Sequence, residues 1–216
     1  MEQHVVFGVS PFNTKFSSQY IEDMLNWGFE NFINVDVLHP HEEARYLLMG
    51  CNNNEVKARK KSRKEFVRIE RIVDSVLERN GRSLSSGRIM KFSDFYDLAC
   101  YQDLYESAKK EFNTQAEFQN ICLEQSKKTI LSRRKATCGE GNLVTTDVHI
   151  ATEYIFREIP FILSPAELML SKMNISISYY SGWSVADYIY NKGIYIKPST
   201  RTGLIIKDHS EMESPQ

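Results

Sequence analysis

Short β-branched and aromatic runs recur between long segments of helical spacing, and this alternation constrains the chain more than any other feature. Val5–Phe7, Phe32–Leu38 (FINVDVL), Arg88–Phe92 (RIMKF), Met173–Tyr180 (MNISISYY), Ile194–Lys197 and Leu204–Lys207 read as strands. Between them, Gln19–Trp27 is a helix with Gly28 as its C′ residue, and Glu42–Met49 is a short helix closed by Gly50. Glu55–Arg79 is the longest helix, and Ser93 opens another that reaches Phe112. Thr114 and Glu117 form a capping box for a helix ending near Lys135, and Thr146 caps one running to Pro160. Val185–Tyr190 is a last short helix, and 208–216 is a polar tail. Strands separated by helices predict an α/β fold: a mostly parallel sheet with helices on both faces. A length of 216 residues fits one domain, here 1–207.

The first strand ends in Gly8, and the chain then presents Ser10, Pro11 and Asn13. The carboxyl end of a leading strand is where such sheets bind ligands, which makes Ser10 a candidate nucleophile. An ordinary strand-to-helix turn capped by Ser10 or Asn13 accounts for the same residues.

Composition narrows the classes. The net charge is −1, so affinity for an anion must come from a local patch. Cys51, Cys100, Cys122 and Cys138 lie far apart without a C-x-x-C, as expected of reduced thiols in a cytoplasmic protein. His39 and His41 flank Pro40 in a loop with no further ligands near, so no metal is expected. No export signal or membrane-spanning run is visible.

Charge is concentrated on the longest helix. At about 100° per residue, Lys57, Lys60, Lys61, Lys64, Arg68 and Arg71 fall on one face, opposite Phe66, Ile69, Val73, Val76 and Leu77. Cations of one sign on one face repel each other and suit a polyanion, whereas a solvated face paired with Glu65 and Glu70 is the plainer reading. Lys127, Lys128, Arg133, Arg134 and Lys135 form a second basic cluster. Tyr154 and Glu158 are one turn apart on a helix, where a phenol and a carboxylate can bind an ammonium group or relay a proton. A surface glutamate above an interfacial tyrosine has the same spacing.

Three separated pieces resemble one family, the tRNA-dependent cyclodipeptide synthases. Gly8-Val9-Ser10-Pro11-Phe12-Asn13-Thr14-Lys15-Phe16 resembles their strand-end motif, Tyr154-x-x-x-Glu158-x-Pro160-Phe161 their Y-x-x-x-E-x-P, and Ile177-Ser178-Tyr179 the strand carrying their second tyrosine. The likeness covers His4 to Lys207. It implies a Rossmann-like catalytic domain similar to that of class I tyrosyl- and tryptophanyl-tRNA synthetases. Leu38-His39-Pro40-His41 is not HIGH, and Leu170-Ser171-Lys172-Met173-Asn174 is not KMSKS. Those departures agree with amino acids arriving already activated as tRNA esters.

The resemblance further implies two aminoacyl-tRNA substrates, no cofactor, a monomer, and ping-pong acyl transfer through an aminoacyl-serine at Ser10 and then a dipeptidyl-enzyme. It implies that Tyr154 and Glu158 hold the substrate ammonium, that Tyr179 relays a proton, and that Asn13 supports the serine loop. Val6, Gly8, Phe161 and Ile177 match positions near the first aminoacyl side chain. The basic helix face would contact tRNA phosphates. Tyr180 departs from the pattern, standing where family members carry His or Pro. No histidine is expected near these motifs to activate Ser10. A non-catalytic RNA-binding module and a small-molecule hydrolase are the competing expectations, although the hydrolase lacks a G-x-S-x-G elbow.

Overall fold

Val5, Val6 and Phe7 are all buried in the opening strand, β1 (Glu2–Gly8), because side chains alternate between two covered faces. The computed structural model describes residues 2–137, 145–179, 183–192 and 197–206. Within it the order continues with α1 (Ser18–Asn31), β2 (Phe32–His39), a 3-10 turn (His41–Ala44), α2 (Arg45–Met49) and α3 (Glu55–Asn80). Then come β3 (Met90–Lys91), a second 3-10 turn (Phe92–Phe95), α4 (Ala99–Thr114), α5 (Ala116–Thr137) and α6 (Thr145–Leu163). Helix α7 (Pro165–Leu168), β4 (Ile175–Tyr179), α8 (Ser184–Lys192) and β5 (Thr202–Ile206) complete the described chain.

The five described strands form one sheet in the order β3-β2-β1-β4-β5, and every pairing is parallel. On one face, Val5, Phe7, Val35 and Val37 pack under α1 and α3. On the other, Val6, Leu38, Ile175 and Ile177 pack under α4, α5 and α6. This is a Rossmann-like doubly wound α/β fold. The chain steps outward from β1 to β2 and β3, then crosses back to β4, so strand order reverses between β1 and β4. Ligands of such sheets bind in the crevice beyond that reversal.

Several local expectations are corrected. Gly28 is not a C′ residue: α1 continues to Asn31, and Gly28 is inside it, against Phe7. Thr114 opens no helix; its hydroxyl donates back to the Lys110 carbonyl at 2.9 Å, and α5 begins after it at Ala116. The expected strand Arg88–Phe92 shortens to Met90–Lys91, and α6 runs past Pro160 to Leu163. The 194–196 part of the expected strand, Cys138, Tyr180 and the 208–216 tail lie outside the described residues. No described helix is long and apolar enough to cross a membrane.

Candidate active site

The loop from Val9 to Ser17 leaves β1 at the reversal point. The Val9 N–H donates to the Leu38 carbonyl at 3.0 Å, carrying the sheet ladder one residue beyond Gly8. Half-buried Ser10 follows immediately. Phe12 sits at φ 60°, a left-handed conformation that a bulky L-residue resists by about 1–2 kcal/mol. Asn13 turns the chain: its Oδ1 accepts from the Lys15 N–H at 3.0 Å and its carbonyl from the Phe16 N–H at 3.1 Å. The Ser17 Oγ then caps α1 by accepting from the Tyr20 N–H.

Side chains from distant helices hold this loop. The Arg133 Nη2 of α5 donates to the Pro11 carbonyl at 2.7 Å, with the guanidinium 5.4 Å from the centre of the Phe12 ring. The Phe12 N–H donates to Glu65 Oε1 of α3 at 3.3 Å. Arg68 grips both Glu65 oxygens, at 2.7 and 3.0 Å, and also donates to the Phe16 carbonyl at 3.3 Å. Glu65, Arg68 and Arg133 were unreadable as loop contacts, because they lie more than fifty positions from their partners.

On the other side of β1, α6 presents Tyr154 and Glu158, both buried on the inner face. Phe161 follows on the same face. Tyr154, Phe161, Val6 and Ile177 belong to one packed cluster, in which Val6 and Ile177 are direct partners across the β1–β4 ladder. Phe92 closes the cluster from the β3 side, stacking on Phe161 at 4.7 Å and lying 6.2 Å from Tyr154. Gly8 has the same strand parity as Val6, so it shares that face. Tyr179 ends β4, the neighbour of β1, one residue past the Phe7–Ser178 pairing.

Helix α6 is fixed from behind by Arg157. Its guanidinium pairs with Glu153 at 2.9 Å and Glu43 at 3.3 Å, and Glu43 also pairs with Arg45 at 3.0 Å. The rings of Tyr46, Tyr96 and Tyr105 surround it at 5.1–5.5 Å. Tyr105 donates to Glu153 at 2.6 Å, and Tyr101 to the Arg157 carbonyl at 3.1 Å. Burial pushes the Tyr96, Tyr101 and Tyr105 phenols above their ordinary range, so they stay neutral donors. The only sequence signal was an unusual density of Tyr near an i, i+4 Glu–Arg pair.

A family profile described as cyclodipeptide synthase matches residues 1–208. The chain belongs to the cyclodipeptide synthase family. A cyclo(L-leucyl-L-leucyl) synthase of Photorhabdus laumondii is 35% identical, over 87% of this chain and 81% of that protein. A cyclodipeptide synthase from Bacillus thermoamylovorans superposes with a TM-score of 0.86 at 33% identity, covering 95% of this chain and 88% of that one. Two others share the fold. A Mycobacterium tuberculosis protein, solved as evidence that cyclodipeptide synthetases are related to type I tRNA synthetases, gives a TM-score of 0.73 at 21% identity. It covers 94% of this chain and 84% of that one. A synthase from Candidatus Glomeribacter gigasporarum bound to Phe-tRNAPhe gives 0.57 at 16%, covering 94% and 87%. The family's enzymes are aminoacyl-tRNA-dependent transferases, and this chain is one of them.

In this synthase the basic face of α3 points outward, with Lys57, Lys60, Lys61, Lys64, Arg68 and Arg71 all exposed. Asn54 starts the helix by accepting from the Lys57 N–H, and Gly81, at φ 58°, ends it. Lys61 reaches Asn53 at 2.9 Å, and Arg68 is turned to Glu65 and the serine loop. Lys57, Lys60, Lys64 and Arg71 pair with no carboxylate among the described residues. Among the described residues no group of three or more His, Cys, Asp or Glu could hold a metal ion.

One histidine does stand beside the serine loop. His39 ends β2, next to β1, with its ring packed on Phe66 of α3. Burial first, then the charges of His41 and Arg68, lower its pKa to about 3. The ring is therefore neutral, and its Nδ1 already accepts from the His41 N–H at 2.8 Å. That leaves the proton on Nε2 and no lone pair for a general base.

Proposed function

We propose that the protein joins two aminoacyl groups from aminoacyl-tRNAs into a cyclic dipeptide by ping-pong transfer through Ser10, without ATP and as a cytoplasmic monomer. The emergence of Ser10 at the sheet's reversal point, together with Tyr154 and Glu158 buried one turn apart on the inner face of α6, supports this reading. The Ser10 oxygen attacks the carbonyl carbon of the first ester, a C–O bond forms, and the ribose oxygen departs with the proton. Tyr154 and Glu158 bind the α-ammonium and fix the aminoacyl group for the next step. The amine of the acyl-serine then attacks the ester carbonyl of a second aminoacyl-tRNA, whose ribose oxygen departs with the proton, leaving a dipeptidyl-enzyme esterified at Ser10. The free amine of that ester attacks its remaining carbonyl and releases the diketopiperazine, with Tyr179 relaying a proton. Asn13 maintains the loop turn.

The aminoacyl side chain faces Val6, Gly8, Phe161 and Ile177, an apolar set suited to an aliphatic residue. The leucyl products of the relatives agree with that choice. His39 being committed, activation of Ser10 falls to the substrate, through the ribose oxygen and its neighbouring hydroxyl. Lys57, Lys60, Lys61, Lys64 and Arg71 offer the outer surface to tRNA phosphates, whereas Arg68, expected among them, is turned to Glu65 and the Phe16 carbonyl. A purely RNA-binding module has no use for a carboxylate and a phenol buried on the inner face of α6, so that alternative is not favoured.

The test is direct. Mixing with a full set of aminoacyl-tRNAs should produce an aminoacyl adduct on Ser10 in intact-protein mass spectra, together with a diketopiperazine. Ser10→Ala should remove both and leave tRNA binding intact. Wild-type protein yielding neither overturns the reading. A substrate ending in 2′-deoxyadenosine should acylate Ser10 far more slowly, and an undiminished rate excludes substrate-assisted activation.

A further inference from the structure

We propose that Arg133, together with the Glu65–Arg68 pair, holds the Ser10 loop in its attacking conformation, and that Arg133 serves as a positioning residue rather than a phosphate contact. The inference rests on Ser10 being the nucleophile.

Arg133 lies in a basic stretch of α5 that would ordinarily be assigned to RNA. Its neighbours fit that assignment: Lys127 and Lys128 are exposed, and Lys127 pairs with Glu124 at the surface. Arg133 is instead half-buried, and its guanidinium is committed to the Pro11 carbonyl and the Phe12 ring. Pro11 and Phe12 directly follow Ser10. The second jaw comes from α3, where Glu65 accepts the Phe12 N–H and is itself held by Arg68.

The arrangement has a physical purpose. Phe12 is in a left-handed conformation that it leaves unless surrounding contacts enforce it. A hydrogen bond to the carbonyl before it, another from its own N–H, and a guanidinium against its ring are those contacts. Removing one jaw lets the peptide at Pro11–Phe12 relax, and the hydroxyl one residue earlier moves with it. Arg suits the position because a planar guanidinium can donate in its plane while stacking on a ring, which Lys cannot do.

The experiment compares wild type with Arg133→Ala, Arg133→Lys and Glu65→Gln. It measures adduct formation at saturating aminoacyl-tRNA, the salt dependence of tRNA binding, and amide exchange of the 9–17 segment. Arg133→Ala should lower the saturated acylation rate on the order of 100-fold, because small displacements of a reacting group are that costly. The salt slope should stay unchanged, exchange of the segment should accelerate, and added guanidinium should restore part of the rate. Arg133→Lys should recover less than guanidinium does, and Glu65→Gln should lower the rate modestly. A flattened salt slope with an unchanged saturated rate would make Arg133 a phosphate contact and overturn the proposal. Unchanged segment exchange in Arg133→Ala overturns it too. If wild type forms no adduct while the variant's segment exchanges faster, it is the assignment of Ser10 that fails. Should Arg133→Ala not fold, Arg133→Lys and Glu65→Gln carry the same comparison.

Discussion

Phe7 and Gly28 are packed so closely that a Cβ added at position 28 would sit 2.7 Å from the Phe7 ring and 3.3 Å from Val35. The ring is buried in the central strand, three residues before Ser10, and cannot swing away. Gly28→Ala gains about 1 kcal/mol of helix propensity but overpacks the core by more, typically about 1–3 kcal/mol. The variant should therefore be no more stable than wild type, and less stable by up to about 2 kcal/mol. Urea denaturation decides this. A clear stabilisation would mean that α1 shifts to make room.

Arg157 should be intolerant of substitution. Glu43 is buried, and Arg157 is held by it, by Glu153 and by three tyrosine rings. Removing the guanidinium leaves carboxylates with half their partners gone, a loss of about 3 kcal/mol. Arg157→Lys keeps the charge but not the planar fork, and should recover less than half of that stability in thermal melts. Because α6 carries Tyr154 and Glu158, Arg157→Lys should also lower turnover more than it weakens tRNA binding. Equal loss in both would mean that the cage supports only the fold.

Acid should destabilise the protein through His39. Its ordinary pKa of 6.5 falls to about 3 on folding, chiefly through burial. Between those values the unfolded chain binds a proton that the folded chain excludes. Unfolding free energy thus rises with pH across that window, and is lost as pH falls, by up to about 1.4 kcal/mol per unit. His41 is lowered as well, first by burial, and adds in the same direction. His39→Asn keeps an acceptor for the His41 N–H and removes the titration. Denaturation curves from pH 7 to pH 4 should therefore be flatter for the variant. An identical slope would assign the acid loss to carboxylates.

Much of this architecture was legible from alternation alone. The runs at Val5–Phe7 and Phe32–Leu38 are strands, and the helix expected over Glu55–Arg79 is observed over Glu55–Asn80. Such segments carry a full apolar face, and burial enforces what periodicity suggests. The failures have specific causes. Gly28 is small for a neighbour in another element, not for a backbone turn, and one-dimensional reading favours the turn. Thr114 could bond forward or backward, and tertiary packing chose the Lys110 carbonyl. Pro160 costs only one helical hydrogen bond near the end of α6, so the helix passes through it. Within the site, Val6, Tyr154, Phe161 and Ile177 could be grouped by resemblance, and the fold packs them together. The grips of Glu65, Arg68 and Arg133 on the serine loop could not be read, since surface-charge periodicity makes the two arginines look like RNA contacts.

That distinction yields the last prediction. On α3, Lys60, Lys61 and Lys64 face solvent, whereas Arg68 is spent on Glu65 and the Phe16 carbonyl. Each lysine that contacts a phosphate releases roughly one condensed counterion on binding. Replacing all three with Ala should lower the slope of log affinity against log salt by about 2–3 and weaken binding most at low salt. Stability should change by less than about 1 kcal/mol, since exposed lysines contribute little. Arg68→Ala should behave oppositely. Its salt slope should stay near wild type while acylation at saturating tRNA slows, because the Glu65 jaw has lost its support. Filter binding across a salt series, paired with single-turnover acylation, separates the two. If the triple-lysine variant keeps the wild-type slope, the outer face of α3 is not where the tRNA backbone lies.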